Sequence, residues 1–331
     1  MAFKHITGSK LFKIINSSLG GKTFIARGKR FTFIVLYCFV SDEAWQRIQY
    51  RIIFKKRINL REPKTFAERL VFLKLFYKNP LMHVCADKYH VNEYLRLLNL
   101  QELIIPELGV YSRAEDICFE HLPQRFIIKC TQGSGSNLIV DKSAPDYNEK
   151  RIVSYFKECL KMNYYKVGRE YGYQGLTPLL LCQPVLQENG GTLTDYKFYC
   201  FDGKVLYYMV SFGEYSHEVK NHKFDRDNKS IDIHFKEKEQ ISPNDIHLPE
   251  NIEQMILLAE QLAAPFPHVR VDLYNVDGKI YFGEMTFYSS GGFVKIADRK
   301  TDLEIGEKIN LEKYKKAMVF PGRAQKYKNA R

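Results

Sequence analysis

The chain has 331 residues, and 14% of them are aromatic, with 23 Phe and 22 Tyr but a single Trp. This length allows one large or two modest domains with a buried core, and the aromatic content excludes a disordered chain. The formal net charge of +12 indicates an anionic partner, a class that includes nucleotides, acidic glycans, nucleic acids and membrane surfaces.

The cysteine pattern favours a reduced, cytoplasmic protein. The seven cysteines are odd in number and dispersed, and most lie in apolar runs. There is no Cys-x-x-Cys pair and no His/Cys metal-ligand spacing, so a zinc site is not expected.

One apolar run, Phe31–Val40, follows two basic residues and resembles the core of a signal peptide. It is too short to span a bilayer, and no small-residue cleavage site follows it. We interpret it as a buried strand or helix, with contact to the inner face of a membrane as the alternative.

Helix-start signals follow this run. Ser41 is predicted to cap a helix that ends at Phe54. Thr65 and Glu68 have capping-box spacing and predict a second helix, which ends before an Asn-Pro pair. A third helix is predicted to begin near Asp87.

Two lysines stand out beyond this point. Lys88 would lie in the first turn of the third helix, where the helix dipole disfavours a cation, so it could meet an anion or extend into solvent. Lys129 interrupts the otherwise apolar strand Phe126–Cys130. The short apolar run Leu103–Pro106, which lies between the two lysines in the sequence, is also predicted to be a strand.

A loop rich in Gly and Ser follows the strand that carries Lys129. Residues 131–137 read TQGSGSN, and a further strand, Leu138–Val140, comes next. Such a loop can fold its backbone N–H groups around phosphate oxygens, although Gly/Ser loops of hairpins are common. It is neither a P-loop nor a Rossmann fingerprint, because the terminal Gly-Lys-Ser/Thr and the following helix are both missing.

The middle of the chain combines aromatic, glycine and charged residues. After a predicted helix at 147–162, the segment 163–175 reads NYYKVGREYGYQG and suits sugar rings or acidic glycans, with an aromatic-rich loop over the core as the alternative. Asp195–Phe201 alternates as a strand with Asp195 and Lys197 on one face. The sequence after Phe212 is polar and is predicted to form loops.

A helix at Glu250–Ala264 leads into a predicted β-hairpin, His268–Tyr288. The arms of this hairpin alternate apolar residues with polar ones. The four polar residues that could share one face are Arg270, Asp272, Glu284 and Thr286. If the two carboxylates are diagonal neighbours, about 7–8 Å apart, they can share a divalent ion, and oxygen ligands favour magnesium or manganese. The alternative is a surface hairpin with an ion pair between arginine and glutamate.

The turn of the hairpin decides whether that face exists. A two-residue turn at Asp277-Gly278 would place the two carboxylates on opposite faces. We therefore expect the four-residue turn Asn275–Gly278, with Gly278 left-handed in a bulge. That turn pairs Arg270 with Glu284.

The order of these features resembles the ATP-grasp superfamily: a lysine in a buried strand, a Gly/Ser loop, an apolar strand ending in a hinge, and an Arg-x-Asp…Glu-x-Thr ribbon. More narrowly, the chain resembles the TupA-like branch, which is associated with teichuronopeptide and other bacterial surface-polysaccharide synthesis. The resemblance runs from about Asn59 to Gly306. Its most specific pieces are NLREPKTFAERLVFLKLFYKNPL, ADKYHV, KCTQGSGSN, DYKFYCFDGK and RVDLYNVDGKIYFGEMTFY.

The resemblance implies an α+β ATP-grasp fold, in which two α+β lobes hold a nucleotide between antiparallel sheets behind a helical N-terminal extension. The implied division is a basic extension at 1–60, an N-terminal α/β lobe at 61–125, a small lobe with the glycine-rich loop at 126–185, and a C-terminal lobe with the metal site at 186–331.

The resemblance also implies roles for individual residues. Lys88 and Lys129 would hold the phosphates of ATP, and Lys197 would face the terminal phosphate. The loop residues that would close over the phosphates are Gly133, Ser134, Gly135 and Ser136. Gln183 and Leu186 would lie at the hinge that receives adenine. Since the family usually has an acidic pair at that hinge and this chain has Gln-Pro, we expect backbone contact with adenine near Leu186.

In the hairpin, the resemblance makes Asp272 and Glu284 ligands of Mg²⁺, with Mn²⁺ as the alternative. Thr286 stands where many ATP-grasp enzymes have Asn and would be the third ligand. Arg270 would stabilise charge on the transferring phosphoryl group or on the tetrahedral intermediate. His268 is the one histidine considered as a proton acceptor, with a structural role as the alternative.

The function implied is an ATP-dependent carboxylate–amine ligase in the cytoplasm. It would join a uronic-acid carboxylate of a capsule or O-antigen precursor to an amino acid through an acyl phosphate. The expected partners are ATP, an acidic glycan or uronic-acid precursor and an amino acid, with no nucleic acid. Two alternatives stay open: a glycosyltransferase that uses the triplet Asp225–Asp227 as a DxD metal motif, and a non-catalytic module that binds anionic glycan.

Overall fold

The computed structural model describes residues 40–187, 193–213, 219–233 and 239–328. The predicted run Phe31–Val40 lies outside these residues except for its last member, as does most of the predicted extension 1–60. None of the helices in the four described segments combines the length and apolarity that a membrane span requires.

The N-terminal part is helical, with α1 at Asp42–Phe54, α2 at Phe66–Phe76, α3 at Leu81–Ala86 and α4 at Val91–Leu97. Both predicted caps are confirmed: the Ser41 side chain accepts from the backbone of α1, and Thr65 and Glu68 form a full capping box. The third helix begins later than predicted. Because the Asp87 side chain accepts from two of the N–H groups that follow it, Lys88 lies in a turn before α4 rather than in its first turn.

A four-stranded antiparallel sheet follows, in the order β1-β4-β2-β3. Its strands are β1 at Gly109–Tyr111, β2 at Arg125–Cys130, β3 at Asn137–Asp141 and β4 at Leu180–Pro184. Helix α5 (Glu149–Leu160) packs on one face, and the short helix α6 (Tyr164–Gly168) follows it. The strand predicted at Leu103–Pro106 is wrong: a 3-10 turn ends at Leu103 and pairing with β4 starts near Leu108, because short apolar runs do not distinguish a strand from a buried loop.

The larger sheet has six strands in the order β10-β9-β5-β6-β7-β8. They are β5 at Asp195–Phe201, β6 at Lys204–Phe212, β7 at Lys220–Asp225, β8 at Glu239–Gln240, β9 at His268–Val276 and β10 at Lys279–Thr286. All neighbours are antiparallel except β7 and β8. Strand β7 lies where the sequence predicts loops, because its polar residues Asn221 and Lys223 are buried in the sheet opposite Ser211 and Met209 of β6.

The two sheets have separate hydrophobic cores. Helix α7 (Ile252–Ala263) and the almost wholly buried helix α2 belong to the core of the larger sheet, which α8 (Arg299–Glu307) borders through α2. The second core lies between the smaller sheet and α5. The predicted α+β class with two antiparallel lobes is confirmed. The division at residues 60, 125 and 185 stays a prediction.

The turn of the β9–β10 hairpin differs from the prediction. Asp277 and Gly278 both have positive φ, 51° and 84°, and form a two-residue turn. That turn alone would place the carboxylates of Asp272 and Glu284 on opposite faces of the hairpin. However, the strand register shifts between Phe282 and Glu284, at Gly283. A bulge in β10 thereby restores the shared face.

The bulge depends on the absence of a side chain. A Cβ on Gly283 would lie 2.9 Å from the backbone oxygen of Asp272, so only glycine allows the strands to approach this closely. As a result Glu284 pairs directly with Asp272, and Arg270 pairs with Thr286. The prediction that Arg270 lies directly opposite Glu284 in the strand register is wrong, although the predicted common face exists.

His268, at the start of β9, is structural. It is 2% exposed, its Nδ1 lies 2.9 Å from the carbonyl oxygen of Cys200, and its ring contacts Phe66 and Phe201. Burial lowers the pKa of His268 to about 3. The imidazole is therefore neutral at physiological pH and is not positioned as a proton acceptor for a reaction.

This histidine should make folding sensitive to acid. The unfolded chain protonates His268 below its ordinary pKa of about 6.5 while the folded protein does not, so stability falls as the pH drops from about 6.5 toward 3. Between pH 7 and pH 5 the wild type should lose about 2 kcal/mol more than His268→Asn, which keeps a donor near the Cys200 carbonyl but does not titrate. Urea unfolding at both pH values measures this, and equal losses would show that His268 is protonated in the folded state.

Candidate active site

The polar face of the hairpin continues onto its neighbour β5. Glu284, Asp272 and Lys197 lie directly opposite one another across β10, β9 and β5. Thr286 and Arg270 lie opposite each other in the adjacent row on the same face. Register thus gathers five of the predicted site residues on one patch of the larger sheet.

One guanidinium joins both carboxylates of this patch. Arg270 Nε and Nη2 each lie 2.6 Å from an oxygen of Asp272, and Nη2 also lies 2.8 Å from Glu284 Oε1. Thr286 Oγ1 donates to the same glutamate oxygen at 2.9 Å. The carboxylates are therefore close enough to share a single cation.

Two lysines from different parts of the fold, Lys88 in the turn before α4 and Lys197 on β5, converge on the pair. Lys88 Nζ donates to the Gly133 carbonyl at 2.5 Å and lies 3.8 Å from Glu284 Oε2. Lys197 pairs with Asp195 and lies 3.7 Å from Asp272 Oδ2. These contacts connect the glycine-rich loop of the smaller sheet with the hairpin of the larger one.

Lys129 is buried on the face of β2 that is turned away from α5. It lies opposite Leu181 of β4, and burial, aided by the nearby Lys88, lowers its pKa to about 8. Glu284 and Asp195 act in the opposite direction and favour the charged lysine. A buried cation of this kind is stabilised by an additional anion.

The electrostatics of Glu284 reflect this excess of cations. Burial alone would raise its pKa, but Lys88, Arg270 and Lys197 outweigh that effect and lower the pKa to about 2. The carboxylate is charged at any physiological pH. A site with several lysines, an ionised Glu284 and a second acidic side chain beside it is suited to binding phosphates together with a metal ion.

The glycine-rich loop is held from the segment that follows α5. Gly133 has φ 70°, and a Cβ on it would overlap the ring of Tyr164. The Tyr164 hydroxyl donates to the Ser134 carbonyl at 3.0 Å and lies 3.3 Å from Ser136 Oγ. The Ser136 hydroxyl therefore faces this tyrosine, while Gly135, with φ 79°, continues the turn of the loop. Sequence reasoning missed Tyr164, since only the aromatic character of 163–175 pointed to it.

The residues predicted at the hinge lie at the end of β4. Gln183 is buried on the same face of the sheet as Lys129, and its Nε2 donates to the Ile105 carbonyl at 3.4 Å. Leu186 lies two residues beyond the strand and is partly exposed. The side chain of Gln183 is thus engaged with the chain itself, which leaves the backbone near Leu186 as the predicted contact for a base.

The DxD triplet lies apart from this patch and has a local role. Asp225 Oδ1 accepts from the backbone N–H groups of Asp227 and Lys229, both at 2.9 Å, in the turn after β7. Arg226 pairs with Glu253 of α7 at 2.7 Å. These contacts account for the triplet without a metal.

Comparison with known proteins assigns the family. A model of the TupA-like ATP-grasp family matches residues 68–310. Among solved structures, the chain is similar to D-alanine–D-alanine ligase from Bacillus anthracis at 17% identity, covering 70% of this chain and 69% of that one, with a TM-score of 0.41. The chain is also similar to the D-alanine–D-alanine ligase from Helicobacter pylori. The identity is 13%, the match covers 76% of this chain and 70% of that one, and the TM-score is 0.40.

A third similar structure is the ATP-grasp ligase PsnB complexed with a phosphomimetic variant of its minimal precursor, Mg and ADP. It shares 14% identity, and the match covers 71% of this chain and 62% of PsnB with a TM-score of 0.38. No curated protein matches the chain at a significant level. At these identities the structural matches carry no information on the substrate.

Proposed function

The chain belongs to the TupA-like ATP-grasp family and is an ATP-grasp ligase, and on this basis we propose that it joins a uronic-acid carboxylate of a bacterial surface polysaccharide to an amino acid. The polysaccharide would be a capsule or O-antigen, and the reaction would take place in the cytoplasm, where ATP is available. The family assignment supports ATP-dependent carboxylate–amine ligation in general. The two substrates are our proposal.

The observation that carries the proposal is the convergence of cations from both sheets on one carboxylate pair. Lys88 and Lys129 come from the side of the glycine-rich loop, and Lys197 and Arg270 from the larger sheet. A triphosphate lying between the sheets would meet all four positive charges. Such a site works by neutralising charge and aligning the reacting groups.

The proposed reaction has two steps. A carboxylate oxygen of the uronic acid attacks the γ-phosphorus of ATP, so that ADP leaves and an acyl phosphate forms. The amine nitrogen then attacks the acyl carbon, inorganic phosphate leaves, and the amine loses a proton as the amide bond forms. We assign the phosphates of ATP to Lys88 and Lys129, with Lys197 facing the terminal phosphate and Arg270 stabilising the negative charge that develops at the reacting centre.

The donor set of the hairpin fits a magnesium ion. Asp272 and Glu284 are oxygen ligands that already share one cationic group, Arg270, and Glu284 is fully ionised. Magnesium held by these two residues would neutralise phosphate oxygens, and manganese could replace it. We propose that Thr286 orients Glu284 through its hydroxyl, since that hydroxyl donates to the carboxylate.

The acidic glycan is proposed from charge and surroundings. The chain carries a net charge of +12, and the aromatic segment 163–175 lies beside the glycine-rich loop. Basic and aromatic side chains together suit the ring and the carboxylate of a uronic acid.

Release of ADP tests the proposed function. Purified protein is incubated with MgATP, glucuronate- or galacturonate-containing oligosaccharides, and each standard amino acid in turn. At least one pair should stimulate ADP formation and yield a product whose mass corresponds to an amide. If no pair does so while a nucleotide sugar is consumed, the protein is a glycosyltransferase and the ligase proposal is wrong.

The contact between Gly133 and Tyr164 gives a sharper prediction for nucleotide binding. In Gly133→Ala the new methyl group would displace either the loop or the tyrosine, so the affinity for a non-hydrolysable MgATP analogue should fall at least about tenfold, or 1.4 kcal/mol. The matched control is Gly175→Ala: its φ is +77° and no atom lies within 4 Å of an added Cβ, so it adds backbone strain alone. Calorimetry measures both, and equal affinities would show that the loop does not contact the nucleotide.

A further inference from the structure

Glu170 is a carboxylate without a direct partner beside the proposed site. It lies between α6 and a 3-10 turn, in the aromatic segment 163–175. Its side chain is half-buried, and within the described part of the chain the carboxylate forms no hydrogen bond and has no ammonium or guanidinium nitrogen within 4.0 Å. Burial raises the pKa of this carboxyl, and Lys74 offsets that effect only in part.

Lys74 is the corresponding cation. This residue of α2 is 1% exposed, its Nζ donates to the Gly291 carbonyl at 2.5 Å, and the same nitrogen lies 4.6 Å from the centre of the Phe293 ring. Burial lowers its pKa, which Glu170 and Asp42 oppose. Each of the two charges is thus near the other without forming an ion pair.

Two hydroxyl groups complete the cluster. Tyr288 and Ser289 are 4% and 5% exposed, and neither Tyr288 Oη nor Ser289 Oγ has a hydrogen-bond partner within the described residues. Tyr288 is within electrostatic reach of Glu170, and Ser289 opens the turn whose Gly291 carbonyl accepts from Lys74. Buried hydroxyl groups of this kind are satisfied by a bound partner, which a ligand or an ordered water supplies.

The cluster adjoins the proposed reaction centre. Tyr288 lies two residues after Thr286, just beyond the end of β10, the strand that carries Glu284. Tyr173 is within electrostatic reach of both Glu170 and Glu284, and its hydroxyl lies near the backbone of Gly133. A molecule bound in the cluster would therefore lie next to the phosphates.

We propose that Glu170, Lys74, Tyr288 and Ser289 form the subsite for the amine substrate, and that this substrate is a free α-amino acid. Its ammonium group would pair with Glu170, and its carboxylate would accept from Lys74 and from the two hydroxyls. A zwitterion supplies an opposite charge to each of the two side chains, the half-buried Glu170 and the buried Lys74, whereas an amino sugar or a polyamine supplies only one. The inference rests on the proposed ligase function, because that function defines the amine substrate.

Binding without turnover tests the subsite. The full chain, saturated with MgADP, is titrated by calorimetry with each of the standard amino acids. The one that binds most tightly is then compared with its decarboxylated amine and its N-acetyl derivative. We expect both derivatives and the variants Glu170→Gln and Lys74→Met to bind at least tenfold more weakly. Glu158→Gln, a change at an exposed glutamate of α5, should bind as the wild type does.

The affinity of each variant for MgADP shows whether it is folded. If Lys74→Met does not fold, the amino-acid affinity of Glu170→Gln alone tests the subsite. The subsite is refuted if no amino acid binds, if the decarboxylated amine binds equally well, or if Glu170→Gln binds as the wild type does. Its failure differs from failure of the ligase proposal: ADP formation with amines that lack a carboxylate would refute only the subsite. Zwitterion binding without ADP formation for any carboxylate would refute only the ligase.

Discussion

Asp272→Asn is expected to reduce ATP turnover at least about 1,000-fold while the protein stays folded. The substitution keeps the shape of the side chain but removes one of the two charges that would hold magnesium, and it breaks the bidentate contact with Arg270. Loss of a single electrostatic contact of this kind typically costs 10²–10³ in rate, and here the metal is lost as well. Glu284→Gln should act in the same direction.

The measurements for this prediction are ADP release and magnesium-dependent affinity for an ATP analogue. The matched controls are Asp225→Asn and Asp227→Asn, which alter the DxD triplet and should leave both quantities unchanged. If Asp272→Asn binds the nucleotide in a magnesium-dependent way like the wild type, the metal site is misplaced. If the triplet variants lose activity instead, the glycosyltransferase alternative is favoured. If none of the variants changes the affinity for an anionic glycan, a non-catalytic module is favoured.

Gly283→Val is expected to abolish activity although it touches no substrate. The added side chain would meet the Asp272 carbonyl oxygen, from which a Cβ alone would be 2.9 Å away, so the bulge in β10 cannot keep its present form. A strand that straightens there moves Glu284 to the opposite face, away from Asp272. We expect a loss of at least 100-fold in ADP release and of about 1–3 kcal/mol in stability.

The control for the bulge is Gly278→Ala in the turn of the same hairpin. Gly278 has φ 84° and no atom lies within 4 Å of an added Cβ, so the change should cost about 1 kcal/mol in stability and leave turnover intact. Urea unfolding and ADP release are measured for both variants. An active, well-folded Gly283→Val would mean that the register of β10 does not place Glu284 in the site.

Local signals in the sequence were the most reliable. The caps at Ser41 and Thr65 depend on contacts three residues apart, and both helices begin where those caps predict. The alternation of Asp195–Phe201 gave the bounds of β5. These features are fixed by nearby residues, which is why the sequence alone predicts them.

The hairpin shows that the turn alone does not determine the register of a strand, because the register can change within the strand. A two-residue turn separates the carboxylates only if the pairing of β10 is unbroken, and the register of β10 shifts between Phe282 and Glu284. Gly283 was the available signal, since a glycine inside a strand often marks a bulge. The prediction that four polar residues share one face of the hairpin is confirmed. The predicted four-residue turn is wrong, because a bulge at Gly283 produces this face.

Long-range placement was beyond the sequence without the family resemblance. Nothing local brings Lys88 to within 3.8 Å of Glu284, nearly two hundred positions along the chain, or brings Glu170 within electrostatic reach of Lys74. These contacts depend on how α2, the glycine-rich loop and the larger sheet pack together. In the sequence Glu170 and Lys74 are ordinary charged residues, and only the burial of Lys74 and its nearness to Glu170 in the fold make them candidates.

The central claim is ligation through an acyl phosphate, and the fate of carboxylate oxygen tests it most directly. A uronic-acid substrate labelled with ¹⁸O in its carboxylate is incubated with the protein, MgATP and an amino acid, and the released inorganic phosphate is analysed by mass spectrometry. Ligation by this route predicts one ¹⁸O atom in each phosphate released and one retained in the amide. Unlabelled phosphate, with the amide formed or with none, would contradict it.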